Sequence, residues 1–112
     1  MATPLNVFRT YTSVITSDND IIYTAPENNT AIVLMAQISN VTANTGTVTF
    51  AHYNATANTE TELVKDYEIP GNDASSVITG KLVIQENDSV KGQASANDSF
   101  KITLSILESL NA

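Results

Sequence analysis

The strongest constraint on the fold is a strict alternation of apolar and polar residues near the C-terminus. The apolar members are Phe100, Ile102, Leu104 and Ile106, and one polar residue separates each from the next. In a β-strand, residues two apart point to the same face, whereas a helix would scatter them around its axis. The segment 99–108 is therefore predicted to be a strand with one buried face and one solvent-facing face.

The same alternation, interrupted by polar turns, recurs along the chain and predicts further strands. The run 30–41 is more continuously apolar and rich in β-branched residues, which favours a long central strand, buried on both faces for part of its length, over a short helix. The segments 7–15 and 21–24 are expected to pair across the polar turn 17–20. Other strands are predicted around 47–53 and at 60–67, 75–78, 81–85 and 89–95.

The fold class follows from these strands and from the composition. Thr, Asn and Ser are abundant and charged residues make up only 15% of the chain, which suits pleated surfaces and turns better than helices. About eight or nine short strands with turn signals between them predict an all-β fold, either an antiparallel β-sandwich or a jelly-roll-like barrel. A length of 112 residues fits one domain, which we place at residues 5–110.

The N-terminal segment carries the only partner interface that the sequence indicates. Residues 1–12 form either an arm or the first strand, and several apolar residues lie in this terminal segment. An apolar arm that docks on a neighbouring subunit is a common assembly device, although terminal arms are usually mobile until they dock. The predicted interface residues are Leu5, Val7, Phe8 and Tyr11.

Charge and cysteine content exclude several classes of protein. The chain has twelve acidic and five basic residues, a net charge of −7, which repels nucleic acid and anionic lipid surfaces. It has no cysteine, so disulfides, thiolate metal sites and cysteine nucleophiles are excluded. The N-terminus has neither a basic nor an apolar signal region, which favours assembly inside the cell. We therefore expect no nucleic acid, no membrane and no cofactor.

The candidate catalytic and metal-binding residues all have simpler interpretations. His52 is the single histidine, and we interpret it as a side chain that fills a strand face. The segment 18–20 (Asp-Asn-Asp) begins like a calcium loop but lacks the Gly and Glu that such a loop needs further on. Glu60 and Glu62 lie two apart on one face of a predicted strand. This meets the distance between the two carboxylates of a glycosidase but none of its other requirements, so we interpret the pair as part of a solvent-facing surface. We predict no catalytic residue and no metal site.

Five Asn-X-Ser/Thr sequences are present, and they are expected in a chain so rich in these residues. In a secreted eukaryotic protein such sequences would accept glycans, but here we interpret their asparagines as turn and strand residues. They begin at Asn28, Asn40, Asn54, Asn87 and Asn97.

The order of several short segments resembles that of the small β-sandwich virion proteins of tailed bacteriophages, notably phages of cyanobacteria and other aquatic bacteria. The resemblance spans residues 21–108, and it depends on order and spacing because each segment alone is unspecific. The segments are Ile22-Tyr23-Thr24-Ala25-Pro26, Thr30-Ala31-Ile32-Val33, Ile38-Ser39-Asn40-Val41, Ile69-Pro70, Lys81-Leu82-Val83-Ile84, Asp88-Ser89-Val90-Lys91 and Leu104-Ser105-Ile106-Leu107-Glu108.

The resemblance implies a non-enzymatic structural protein of the virion, assembled in the cytoplasm of the bacterial host. The first expectation is a capsid decoration or cement protein that binds other virion proteins, the major capsid protein above all, as a small homo-oligomer such as a trimer. The alternative is a tail, baseplate or fibre module that binds a host-surface glycan, for which tyrosines would supply stacking surfaces. These are Tyr11, Tyr23, Tyr53 and Tyr67.

Overall fold

The structure is a computed structural model that describes residues 6–110. Within this range the chain forms strands and turns without a helix, and the strands build two antiparallel sheets. The strands are β1 (Asn6–Ile15), β2 (Asp20–Thr24), β3 (Asn29–Asn40), β4 (Gly46–Asn54), β5 (Thr59–Ile69), β6 (Ala74–Ser76), β7 (Leu82–Ile84), β8 (Ser89–Ala94) and β9 (Phe100–Leu110).

The strand order places the N-terminal strand at an edge. In the first sheet, called sheet A, the order is β1-β9-β3, after which β6 and β7 both pair with the far side of β3. In the second, sheet B, the order is β2-β8-β4-β5. The two sheets pack face to face as a β-sandwich, which confirms the all-β prediction. Pro26 and Pro70 follow the ends of β2 and β5, where the missing backbone donor costs no ladder bond.

The apolar core lies between the sheets and is built by the alternation that the sequence displays. On β9, Phe100, Ile102, Leu104 and Ile106 are all buried, as predicted. Sheet B contributes Phe50 and other buried residues from β4 and β8. Burying one such side chain contributes about 1.5–3 kcal/mol, so this interface supplies the main stabilisation of the fold.

Two details of the predicted strand arrangement are wrong. β1 and β2 do not pair with each other, because the turn between them carries the chain from sheet A to sheet B, and they pair with β9 and β8 respectively. β3 is central, but it is not buried on both faces. Its register with β9 shifts between Val33 and Met35, and Leu34 at this bulge is 36% exposed.

Asparagine and aspartate occupy the left-handed backbone positions of the described chain. Six such residues have φ between 49° and 67°, and no glycine does. Their short polar side chains tolerate this conformation better than other side chains do, which explains the abundance of Asn in the turns. The residues are Asn28, Asn58, Asp66, Asn72, Asn87 and Asp98.

Candidate assembly surface

The free edge of β1 is the longest regular edge in the described part of the molecule. Ten consecutive residues, Asn6 to Ile15, pair with β9 without a register shift, and no strand within residues 6–110 pairs with the other side of β1 in sheet A. Only Ile15 is buried, and Val7 is half-buried. A strand of this kind presents unpaired N–H and C=O groups that can pair with another chain.

The other edges are short or irregular. β2 has five residues and a register shift, and β6 and β7 have three residues each. β5 has eleven residues, but its register with β4 shifts twice, and Asp66 has a positive φ of 49°. Bulges and charged side chains are the usual protection of edge strands against unwanted pairing. β5 is protected in this way, and β1 is not.

A polar network holds β1 against the rest of the sandwich. The Arg9 Nε donates to Oε1 of Glu108 at 2.6 Å, and the Tyr23 hydroxyl donates to Oε2 of the same carboxylate at 2.5 Å. Glu108 is only 6% exposed, so its charge requires both partners. The ring of Tyr11 packs on that of Tyr23 with centroids 4.9 Å apart and a 59° angle, an arrangement typical of aromatic pairs. The network fixes the position of the edge strand.

The network also sets the ionisation of its members. Burial, followed by the hydrogen bond to Glu108 and the negative charge of that carboxylate, raises the pKa of Tyr23 far above its ordinary value of 10.0. The same carboxylate raises the pKa of Arg9. Tyr23 therefore stays neutral and Arg9 stays charged throughout the physiological range.

An apolar row crosses the outer face of sheet A and ends at the free edge. Phe8 pairs with Leu107, Leu107 pairs with Ile32, and Ile32 pairs with Val83. These side chains point away from the core, because their neighbours along β9 and β3 point into it. Phe8 is 75% exposed and Val83 is 55% exposed. Contiguous apolar residues on a solvent-facing sheet often mark an interaction site.

The structure places the predicted interface residues that it describes on both faces of β1. Phe8 starts the apolar row, Tyr11 lies on the opposite face of β1 against Tyr23, and Val7 pairs with Glu108. Leu5 lies outside the described residues. Residues 6–12 of the segment that we interpreted as either an arm or a first strand belong to β1.

Sequence reasoning missed the other three members of the apolar row. Ile32, Val83 and Leu107 come from three strands that are far apart along the chain, and only the registers bring them together. One signal was present in the sequence. Leu107 follows Ile106 directly and so breaks the alternation of β9 by placing an apolar side chain on its polar face.

A shallow cleft lies at the opposite edge of the sandwich, between β5 and the segment 76–82. Its volume is about 420 Å³ and its apolar lining includes Leu63, Val64, Tyr67, Val77, Ile78 and Leu82. This volume is within the range of small-ligand pockets. Lys81 is the one charged residue of the lining, which also includes the hydroxyl-bearing residues Ser76 and Thr79.

The side chains considered for catalysis make different contacts in the structure. His52 Nε2 is 3.5 Å from Oδ2 of Asp88, a distance too long for a good hydrogen bond, and Asp88 accepts from the backbone N–H of Ala55 at 3.0 Å. Glu60 accepts from Asn19 at 3.0 Å and pairs with Lys91 at 3.1 Å. The bond from Asn19 and then that from Lys91 lower the pKa of Glu60.

Hydrogen bonds to the side chain of Thr16 hold the turn 18–20 together. Thr16 Oγ1 donates to Oδ2 of Asp20 at 2.7 Å and accepts from the N–H of Asp18 at 3.1 Å. Across residues 6–110, no three His, Cys, Asp or Glu side chains are grouped so that they could hold a metal ion. Nor does that part of the chain contain a helix that is long and apolar enough to cross a membrane.

The four tyrosines considered for glycan stacking do not form one site. Tyr11 and Tyr23 contact each other, but Tyr23 is buried. Tyr53 donates to Asn58 in the turn between β4 and β5, and Tyr67 shares a hydrogen bond of 2.9 Å with Ser75 at the far edge of the sandwich.

Comparison with known proteins identifies a neighbour in fold but not a family. No protein-family model and no curated protein matches the chain. A solved chain of the Bacillus endospore appendages, described as a novel family of disulfide-linked pili, superposes with a TM-score of 0.59 over 96% of this chain and 88% of its own length. The sequence identity is 13%, so the likeness concerns the fold.

Proposed function

We propose that this chain is a non-enzymatic structural subunit that assembles with other protein chains through the edge and outer face of sheet A. The observation that carries the proposal is the apolar row that ends at Phe8 on the free edge of β1. A second chain that pairs with this edge satisfies its unpaired backbone groups and covers Phe8 in the same contact.

The assembly that we propose first is a bacteriophage particle, and the role is decoration of its capsid. This part rests on the resemblance between segments 21–108 and small virion proteins. Decoration requires many weak contacts repeated over a symmetric shell, and these stabilise by multiplicity. Quantitative mass spectrometry of purified particles tests it, because a decoration protein scales with the capsid proteins. A copy number that matches the tail proteins would favour the tail alternative, and absence from particles would contradict both.

A second candidate, a subunit of a protein filament, is supported by the fold of the endospore appendage chain. Those pili are described as disulfide-linked, whereas this chain has no cysteine. A filament of this chain would therefore be held together without disulfides. Electron microscopy of the concentrated pure protein distinguishes the candidates, since filaments from one component support the second and discrete small oligomers support the first.

The contact surface is tested with one substitution and a matched control. Phe8→Ser removes the exposed apolar side chain at the free edge, and Ile21→Ser removes one of similar exposure, 59%, from sheet B. We expect Phe8→Ser to reduce self-association in sedimentation velocity runs, or occupancy on particles, and Ile21→Ser to leave them unchanged. Equal effects of both, or no effect of Phe8→Ser, would overturn the proposal. Neither side chain belongs to the core, so both variants should fold.

A further inference from the structure

We propose that the partner of the β1 edge is β1 of a second copy, paired antiparallel about a two-fold axis at Tyr11. This inference rests on the proposed assembly function and specifies its partner, register and symmetry. A two-fold contact uses the same surface on both copies, so that surface must be complementary to itself. The sequence of β1 meets this requirement.

The residues of β1 match one another on either side of Tyr11. With Tyr11 opposite Tyr11 of the second copy, Phe8 lies opposite Val14 and Thr10 lies opposite Thr12. Aromatic with β-branched pairs and Thr with Thr pairs are among the favourable cross-strand combinations. Further out, Val7 lies opposite Ile15, a pair of two apolar residues. Phe8, Thr10, Thr12 and Val14 share the outer face of sheet A, so these pairs form on one surface.

The charges of β1 favour the same pairing. The chain carries twelve acidic residues, yet none lies between Asn6 and Ile15. Arg9 is the one charged residue of the strand; it would lie opposite Ser13 and its guanidinium is already bound to Glu108. Two copies of this edge therefore meet without placing like charges opposite each other.

The long edge of sheet B lacks this self-complementarity. β5 carries four acidic residues and one lysine, so two β5 edges would bring acidic side chains together, and directly opposed like charges are destabilising. Its two register shifts also interrupt the ladder. β1, in contrast, pairs with β9 over ten residues without a register shift, so its free edge is regular enough for a second strand to form an uninterrupted ladder with it.

The pairing also extends sheet A beyond the single chain. Phe8 is 75% exposed and Val14 is 44% exposed in one copy, and each would be covered by the other in the pair. The two sheets A would join into one continuous sheet across the two-fold axis, with β1 no longer at an edge. The exposed edge and two of the exposed apolar side chains are thereby accounted for by one contact.

The register is tested by thiol cross-linking, because the chain has no cysteine of its own. Phe8→Cys and Val14→Cys are made as separate variants. In the proposed register position 8 of one copy is beside position 14 of the other, with Cβ atoms about 5 Å apart. In a dimer of Phe8→Cys alone the two thiols would be six positions apart along the ladder, roughly 20 Å. We expect mild oxidation to give a covalent dimer when the variants are mixed, and none when either is oxidised alone.

The outcomes separate this inference from the function on which it rests. If the protein is oligomeric but the mixture does not cross-link, or if either variant cross-links alone as readily, the symmetric register is wrong and the assembly function stands. If the wild-type protein stays monomeric at high concentration and does not bind particles, both are wrong. Oligomerisation of each variant is measured first under reducing conditions. This identifies any substitution that itself prevents association, so that its lack of cross-linking is not taken as evidence against the register.

A charge exchange at the central pairs gives an independent test. The variant Thr10→Lys, Thr12→Lys places lysine opposite lysine twice in the dimer, whereas Thr10→Lys, Thr12→Glu places lysine opposite glutamate twice. We expect the first to weaken the dimer about tenfold and the second to restore its dissociation constant to near that of the wild type. Equal dissociation constants for the two variants would overturn the register. Both threonines are exposed, so the fold tolerates either charge.

Discussion

The hydroxyl of Tyr23 on β2 donates a hydrogen bond of 2.5 Å to the carboxylate of Glu108 on β9. This contact joins sheet B to sheet A at the side of the sandwich where β1 lies. The same carboxylate holds Arg9 of β1. The position of the proposed assembly edge thus depends on one buried acidic residue.

Removing the hydroxyl of Tyr23 should destabilise the protein. Tyr23→Phe leaves the buried carboxylate with one partner fewer, so we expect a loss of about 1–3 kcal/mol in the free energy of unfolding, measured by urea denaturation. Tyr67→Phe is the control, because its bond to Ser75 is exposed and its loss should change stability by less than about 0.5 kcal/mol. Equal losses in the free energy of unfolding would show that the buried Tyr23 hydrogen bond stabilises the protein no more than the exposed Tyr67 one.

Stability should fall at high pH because of the same residue. The pKa of Tyr23 is raised in the folded protein above the ordinary value of 10.0, so above about pH 10 the unfolded chain loses this proton first. The stabilisation of the folded protein by neutral Tyr23 is complete below pH 10. Above pH 10 it declines as the pH rises, with a slope of at most about 1.4 kcal/mol per pH unit. Urea unfolding between pH 8 and 11 should show a steeper decline for wild type than for Tyr23→Phe. If the free energy of unfolding fell equally with pH in the two proteins, Tyr23 would not be the group responsible.

The tight packing of Gly71 predicts a contrast between two glycines. A Cβ at Gly71 would lie 2.3 Å from the backbone oxygen of Ala43, whereas one at Gly80 would meet nothing within 4 Å. The turn after β5 is bound to the loop after β3, since Asn72 N–H donates to the Thr42 carbonyl at 2.8 Å. Gly71→Ala should therefore cost about 1–3 kcal/mol, while Gly80→Ala should be neutral or slightly stabilising. Thermal unfolding of both variants measures the contrast.

Asn40 is a buried amide that organises the same loops. It donates to the carbonyls of Asn44 at 2.7 Å and Ile69 at 3.1 Å, and accepts from the N–H and hydroxyl of Thr42. Asn40→Asp replaces the donating group by an oxygen that faces two carbonyls, and we expect a loss of roughly 3 kcal/mol.

Asn54→Asp serves as the control for Asn40→Asp. Asn54 uses its side-chain oxygen to accept from Ala57 N–H at 3.0 Å, and aspartate retains that oxygen. We expect this variant to unfold at nearly the urea concentration of the wild type. A loss as large as that of Asn40→Asp would indicate a general cost of added negative charge in an acidic protein.

The sequence predicted the strands well because their pattern is local. Alternation identified the buried face of β9, and Asn-rich segments identified the turns. The pairing of β1 was not predictable in this way. A short polar turn before β2 suggested a hairpin, but β1 and β2 belong to separate sheets, and each contributes a buried residue, Ile15 and Tyr23, to the core from its own sheet.

The surface was harder to predict than the fold because it is assembled from distant strands. Phe8 was identified because it is apolar and close to the terminus, whereas Val83 had no local signal of its own. Likewise the role of Glu108 depends on Arg9, 99 positions away. Contacts between residues so far apart in the sequence can be identified only when the registers of β1, β3 and β7 are known.

The burial pattern of the two long edge strands has a consequence for their opening. β1 and β5 each bury one residue, Ile15 and Ile69, and in both strands it is the last one. Each strand can therefore fray from its N-terminal end while the core between β3, β4, β8 and β9 stays closed. Amide protons near Asn6 and Thr59 should exchange with solvent well before those of β9, at a free energy far below that of global unfolding.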